Sequence, residues 1–362
     1  MGVWVGGLQS ERYCHASNPP GPELALVMDK PEKNQESFLD QATDPTQCFL
    51  CGATVDLGTR SQEHVFAQWL LDRYNLRREQ LTLPNGTYIF YEQLTVTACI
   101  PCNSGPLSRL EKEIGDAFRL GPDAVRSLDP ERLFLWLAKF YYGIRFRELT
   151  LPIDRRDPNA NAIVSNQMIR QFPVHHLLLK RLLNQVTWTD FPASIFIYEC
   201  LVDSDPKKNF DYFDAQDQPY VSVRIGSTYV AAFLQDFGAV KQYGVGAWEI
   251  PKLAAEIRLH PLQVIELDSL FYTVLKNHRP ATMMVNRQDD QWNVMVMPRG
   301  GLSGRPPFQD WSAEEYLTVQ REMFRWRAGT EMPSTESGIP TLFRRLDGSV
   351  QQAPDTDWSY KN

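Results

Sequence analysis

Apolar and polar positions along the chain fall into four stretches of different period. Residues 1–46 mix Pro, Asn, Gln and acidic residues with no helical or strand repeat, so this stretch is expected to be disordered. Residues 47–115 hold short elements. A helix is expected over 66–74, with Trp69, Leu70 and Tyr74 near one face, and LTLPNGTYIFY sets Asn85-Gly86 between two apolar runs, a hairpin signal. From 116 to 330 the elements lengthen. PERLFLWLAKFYYGIRFREL opens on Asp129-Pro130-Glu131, a helix start, and VHHLLLKRLL reads as a second helix after Pro173. SIFIYECLV and YVSVRIGSTYVAAFL then carry the β-branched and aromatic residues of strands. A helix in PLQVIELDSLFYTVLKNH, two strands in ATMMVNRQDDQWNVMVM and an amphipathic helix in SAEEYLTVQREMFRWRA complete this region. Residues 331–362 show no period and read as a flexible tail. The expected class is α+β, a small module at 47–115 followed by a larger α+β region at 116–330.

Composition narrows the function. The longest apolar run, LFLWLAKFYYGI, is broken by Lys139 and is shorter than the roughly 20 residues a membrane span needs, so no membrane association is expected. The N-terminal residues lack a basic and then apolar signal pattern, which makes the cytoplasm the expected compartment. A net charge of -7 argues against a protein that coats nucleic acid by releasing its counterions. It leaves room for an enzyme whose metal and carboxylates act locally on a phosphate.

The cysteines supply the strongest pattern. Cys48-Phe-Leu-Cys51 and Cys99-Ile-Pro-Cys102 are two CxxC knuckles, and in a reducing compartment such a pair points to one tetrahedral Zn2+ rather than to disulfides. The long segment between them costs little extra closure entropy. Four thiolates leave no vacant coordination position, so this zinc would be structural, and chemistry must come from other side chains. Cys14 and Cys200 have no such partners.

Between the knuckles stands Glu63-His64-Val65, and Asn103 directly follows the last cysteine, ahead of a helix containing LSRLEKE. In this arrangement the chain resembles the HNH, or ββα-metal, endonucleases of the four-cysteine type, typified by endonuclease VII and found in many bacterial HNH proteins. The resemblance spans about 65 residues and implies a ββα nuclease module hydrolysing DNA, with RNA as the other candidate substrate. It implies that Glu63 and Asn103 hold a catalytic Mg2+, Mn2+ or other divalent ion, and that His64 is the general base. A hard ion that keeps several waters suits one carboxylate and one amide oxygen, and an imidazole titrating near neutrality suits proton abstraction. Glu63 stands where Asp is commoner, Ala67 where proline is common, and the intermediate Asn of the family name is not evident in EQLTVTAC, where Gln93 or Thr95 could take its place. A role in defence against phages or mobile elements is a further implication.

Other residues carry weaker signals. Glu111 and Arg109 lie on the following helix and could stand behind the ion or beside the phosphate, although Glu111 is about 12 Å along the axis from Asn103 if the helix is regular. His175-His176 sits on a helical run with one ring expected in the core and the other in water. Trp136, Phe140, Tyr141 and Tyr142 are expected to pack in a core, whereas Arg145, Arg147, Arg155 and Arg156 form a candidate phosphate-contacting surface or a solvated face. Residues 116–330 would recognise the substrate, a protein partner or a second copy. The alternative reading is a non-catalytic zinc module that binds protein or nucleic acid, with Glu63-His64 merely capping a helix.

Overall fold

The computed structural model describes residues 26–28, 44, 46–154, 156–157, 159–164, 172–215, 218–244, 249–288, 291–297, 306–332, 340–345 and 347–354. The elements run β1 (Leu26–Met28), β2 (Arg60–His64), α1 (Gln68–Arg73), β3 (Gln80–Thr82), β4 (Tyr88–Phe90) and β5 (Thr95–Cys99). After β5 come a helical turn at Ile100–Cys102 and a π-helical turn at Asn103–Leu107, which lead into α2 (Ser108–Leu120), α3 (Pro122–Arg126), α4 (Pro130–Glu148) and α5 (Phe172–Leu179). The chain continues through β6 (Val186–Trp188), β7 (Ser194–Glu199), β8 (Phe210–Asp214), β9 (Tyr220–Ile225) and β10 (Thr228–Phe233). It ends with α6 (Glu249–Ala254), α7 (Pro261–Lys276), β11 (Met283–Gln288), β12 (Gln291–Val296) and α8 (Ala313–Met323). The architecture is mixed α+β, and no helix among the described residues is long and apolar enough to cross a membrane.

The helix α4 organises the whole. Asp129 caps its N-terminus by accepting from the Glu131 N–H, and Pro130 at the first helical position costs no hydrogen bond there. From Leu133 to Phe146 every residue of α4 is buried. A helix apolar on all sides must be enclosed, and α4 is enclosed by β5, α2, α5 and β9. Trp136, Phe140, Tyr141 and Tyr142 therefore belong to the core, as their spacing suggests.

Two four-stranded sheets flank this axis, in the orders β7-β10-β9-β8 and β1-β11-β12-β6. The first is antiparallel throughout, and every residue of β9 and β10 is buried. Gly226, with φ at 60°, makes the tight turn between them, a left-handed conformation that favours glycine. In the second sheet β1 and β6 join the β11-β12 hairpin in parallel. Three residues of the N-terminal stretch, Leu26–Met28, thus form a strand, and most of the rest of 1–46 lies outside the described residues.

A single hydrophobic cluster contains Phe49, Val65 and Leu110 of the short module together with Phe140, Val223 and Val294 of the region after it. The core is continuous across residue 115. In the segment read as a tail, Leu342 and Phe343 are buried, and Gln263 of α7 donates to the Leu342 carbonyl at 2.9 Å.

One glycine shows how closely α4 meets the module. A Cβ at Gly143 would lie 3.1 Å from Val65 Cγ2 and 3.2 Å from Cγ1, directly beyond His64 in the chain. Gly143→Ala should therefore cost about 1–3 kcal/mol by overpacking, read as a lower urea midpoint with an unchanged slope.

Candidate functional site

The four cysteines converge. Cys48 and Cys51 sit in a turn closed by Gly52 N–H donating to the Cys48 carbonyl at 2.8 Å, with Gly52 at φ 76°. Phe49 N–H, inside the same knuckle, donates to the Thr97 carbonyl of β5 at 2.9 Å. Cys99 ends β5 and Cys102 lies one helical turn further on. All four sulfurs are within 4.8 Å of one another, and Cys51 Sγ is 3.8 Å from Cys99 Sγ. A tetrahedral ion with metal–sulfur bonds of about 2.3 Å would set its sulfurs about 3.8 Å apart. The group could hold a metal, and among the described residues no second group of three or more Cys, His, Asp or Glu is so close-set. Within the cluster, hydrogen bonds from the Cys102 and Cys51 thiols draw Cys48 below the usual thiol range, while Cys102 is raised by its hydrogen bond to Cys48 and Cys51 is pushed up to about 11. Cys200 is buried elsewhere, against the second core cluster, and Cys14 lies outside the described residues.

The strand β2 runs antiparallel to β5 with Arg60 opposite Cys99 and His64 opposite Thr95. Side chains alternate across a strand, so Glu63 turns inward and is 5% exposed, whereas His64, the last residue of β2, is half-buried. Asn103 Nδ2 donates to Ser61 Oγ at 3.0 Å and to the Gln62 carbonyl at 3.2 Å. That bond fixes the start of the helical segment against the strand that carries the acid and the histidine. With Nδ2 engaged, Oδ1 is the acceptor Asn103 has left, and it takes no hydrogen bond among the described residues.

Glu63 meets a partner that sequence reasoning missed. The ammonium of Lys139, on α4, pairs with Glu63 Oε1 and with Glu111 Oε1 of α2, and donates to the His64 carbonyl at 3.0 Å. Glu111 and Glu63 thus meet on one ammonium, so the distance of Glu111 along the helix from Asn103 does not keep it from the cluster. Arg109 is exposed on α2 and takes no part in this cluster. Nor does any direct hydrogen bond join His64 to Glu63 or Asn103 among the described residues. Among the described residues the one side-chain hydrogen bond of His64 is between Nδ1 and Gln68 Nε2 at 3.5 Å, the outer limit of hydrogen-bond length.

Burial raises the Glu63 carboxyl above its ordinary range, with the adjacent Lys139 charge opposing the shift. Burial alone would lower Lys139, but Glu111 and Glu63 outweigh it and hold the ammonium charged. His64 is lowered, first by burial and then by the Arg77 and Lys139 charges, so its imidazole is neutral at neutral pH.

The remaining sequence candidates lie apart from this cluster where they are described. His175 and His176 are both buried, which departs from the expectation of one ring in water. His176 Nε2 donates to the Leu50 carbonyl at 3.0 Å, inside the first knuckle, and its ring stacks on Tyr142 at 5.7 Å. Arg145 is enclosed rather than on a phosphate surface: Nη1 is 2.7 Å from Glu148 Oε2 and Nη2 pairs with Asp214. Arg147 is half-buried, Arg156 pairs with Asp154 at the surface, and Arg155 lies outside the described residues.

His175 packs on the Tyr141 ring and is 2.6 Å from Gln235 Nε2, and burial followed by the Arg145 charge lowers it to about 3. An unfolded histidine titrates near 6.5, so the stability this neutral ring contributes is complete above that pH and is lost as pH falls from 6.5 through 3. His175→Gln should remove about 1.4 kcal/mol per pH unit from the slope of unfolding free energy between pH 6 and 4. Urea midpoints of the two proteins across that range measure it.

Comparison with protein-family models, curated proteins and solved structures found no match to this chain.

Proposed function

We propose that the chain is a metal-dependent endonuclease of the HNH type, hydrolysing phosphodiester bonds in DNA on a zinc-stabilised ββα module. The observation that carries this reading is the convergence at β2. The strand pair β2–β5 and the helix α2 follow one another in ββα order, and the first residue after the second knuckle, Asn103, is bonded to the strand holding Glu63 and His64. Cys48, Cys51, Cys99 and Cys102 would hold Zn2+ as a closed, structural site.

The donor set fits a hard divalent ion. Asn103 offers Oδ1, and Glu63 offers Oε2, which has no hydrogen-bond donor among the described residues while Oε1 faces Lys139. When bound, Mg2+ or Mn2+ would offset the charge on the scissile phosphate and on the departing 3′ oxygen. His64, neutral at working pH, takes the proton of the water that attacks phosphorus. The P–O3′ bond breaks, the 3′ oxygen gains a proton from solvent, and the products carry 5′-phosphate and 3′-hydroxyl ends. The region after residue 116 supplies substrate recognition, a surface for a protein partner or self-association.

The expected result is nicks in supercoiled plasmid that a polymerase extends directly and that a kinase labels only after phosphatase treatment. Ends of the opposite polarity would contradict water attack in this geometry.

The buried Glu63–Lys139 pair favours a second reading, a non-catalytic zinc module in which the acid is a structural anion. Such a module would bind its partner and leave both DNA and RNA intact with every divalent ion.

A further inference from the structure

Lys139 belongs to α4, outside the short module that carries every other candidate residue, yet its ammonium is wholly buried among them. The ammonium donates hydrogen bonds to Glu111 Oε1 on α2 and to the carbonyl of His64, and forms an ion pair with Glu63 Oε1 on β2. One cation thus ties the strand, the helix and the backbone of the candidate base together. A buried lysine needs one counter-charge to be tolerated, and this one has two, both from the segment proposed to do chemistry. Its ion pair is with Oε1 of Glu63, and no hydrogen bond from a described residue reaches Oε2.

We propose that Lys139 is a positioning residue of this site, fixing the Glu63 carboxylate toward a divalent ion and the His64 backbone beside it. The proposal rests on the endonuclease reading above. It makes α4, and the α+β body packed on it, part of the catalytic unit. A module cut after residue 115 would lack the cation that sets its acid.

The charge-neutral double variant Lys139→Met/Glu111→Gln removes one positive and one negative charge, so the net field at the ion changes little and the loss of positioning is what remains. Mn2+ affinity is read by electron paramagnetic resonance at fixed pH and salt, on full-length protein whose zinc content and thermal midpoint are measured in parallel. The expected result is full zinc content with Mn2+ binding at least tenfold weaker and nicking at least a hundredfold slower. Lys139→Gln/Glu111→Gln keeps an N–H donor toward Glu63 and should recover part of the Mn2+ affinity. It also carries the test if the methionine variant does not fold. Folded, zinc-loaded variants with Mn2+ affinity within threefold of the unsubstituted protein would overturn the role of Lys139. An unsubstituted protein that binds no Mn2+ would instead overturn the endonuclease reading itself, and the positioning role with it.

Discussion

Replacing His64 by alanine is expected to slow Mg2+-dependent nicking by about 10²–10⁴-fold, the usual worth of a general base, with little change in stability. The separation of the two effects follows from where the ring sits. His64 ends β2 half-buried, outside the cysteine cluster, and among the described residues its side chain has only the 3.5 Å hydrogen bond with Gln68. The residues on either side hold the fold: Glu63 through Lys139, and Val65 through its packing on Gly143. Single-turnover nicking by His64→Ala at matched zinc content and melting temperature isolates the base. If nicking fell by less than threefold, proton abstraction would have to be assigned to another group.

Cys102→Ser should have the largest effect on the fold. Cys102 is 5% exposed, and Asn103 follows it directly. Losing one of four thiolates weakens a site whose binding energy is folding energy, and it also frees the turn that aims Asn103 at β2. Because the hydrophobic cluster around Phe49 and Val65 remains, the outcome is partial destabilisation by several kcal/mol rather than a disordered chain. At roughly 2–4 °C per kcal/mol for a chain of this order of size, the melting temperature should fall by about 10 °C or more, with zinc content well below one per chain. A variant that kept both values would show that Cys102 is not needed to hold the ion.

Much of this arrangement was legible from spacing. The two knuckles, the hairpin at Asn85-Gly86 and the capped helix from Pro130 are local patterns, and local patterns survive folding. Where the sequence misled, the cause was tertiary. No strand was expected over FDYFD, yet it forms β8, with Asp211 and Asp214 paired with Arg327 and Arg145. Arg145 read as surface because a helix arginine usually is; burial between Glu148, one turn on in α4, and Asp214 of β8 overrides that. Lys139 left the clearest unused signal. A lone lysine inside LFLWLAKFYYGI must be buried if the helix is, and a buried ammonium demands carboxylates. Which carboxylates could not be read, since Glu63 and Glu111 reach it only through the packing of β2 and α2 on α4.

The most direct measurement is relaxation of supercoiled plasmid by purified, zinc-loaded full-length protein, titrated with Mg2+ and then with EDTA while zinc content is followed. Nicking that rises with Mg2+, stops when Mg2+ is chelated with zinc still bound, and returns on adding Mg2+ is the result expected for a site built from Glu63, His64 and Asn103. DNA left intact at every Mg2+ and Mn2+ concentration, by protein that is folded and carries its zinc, would contradict it.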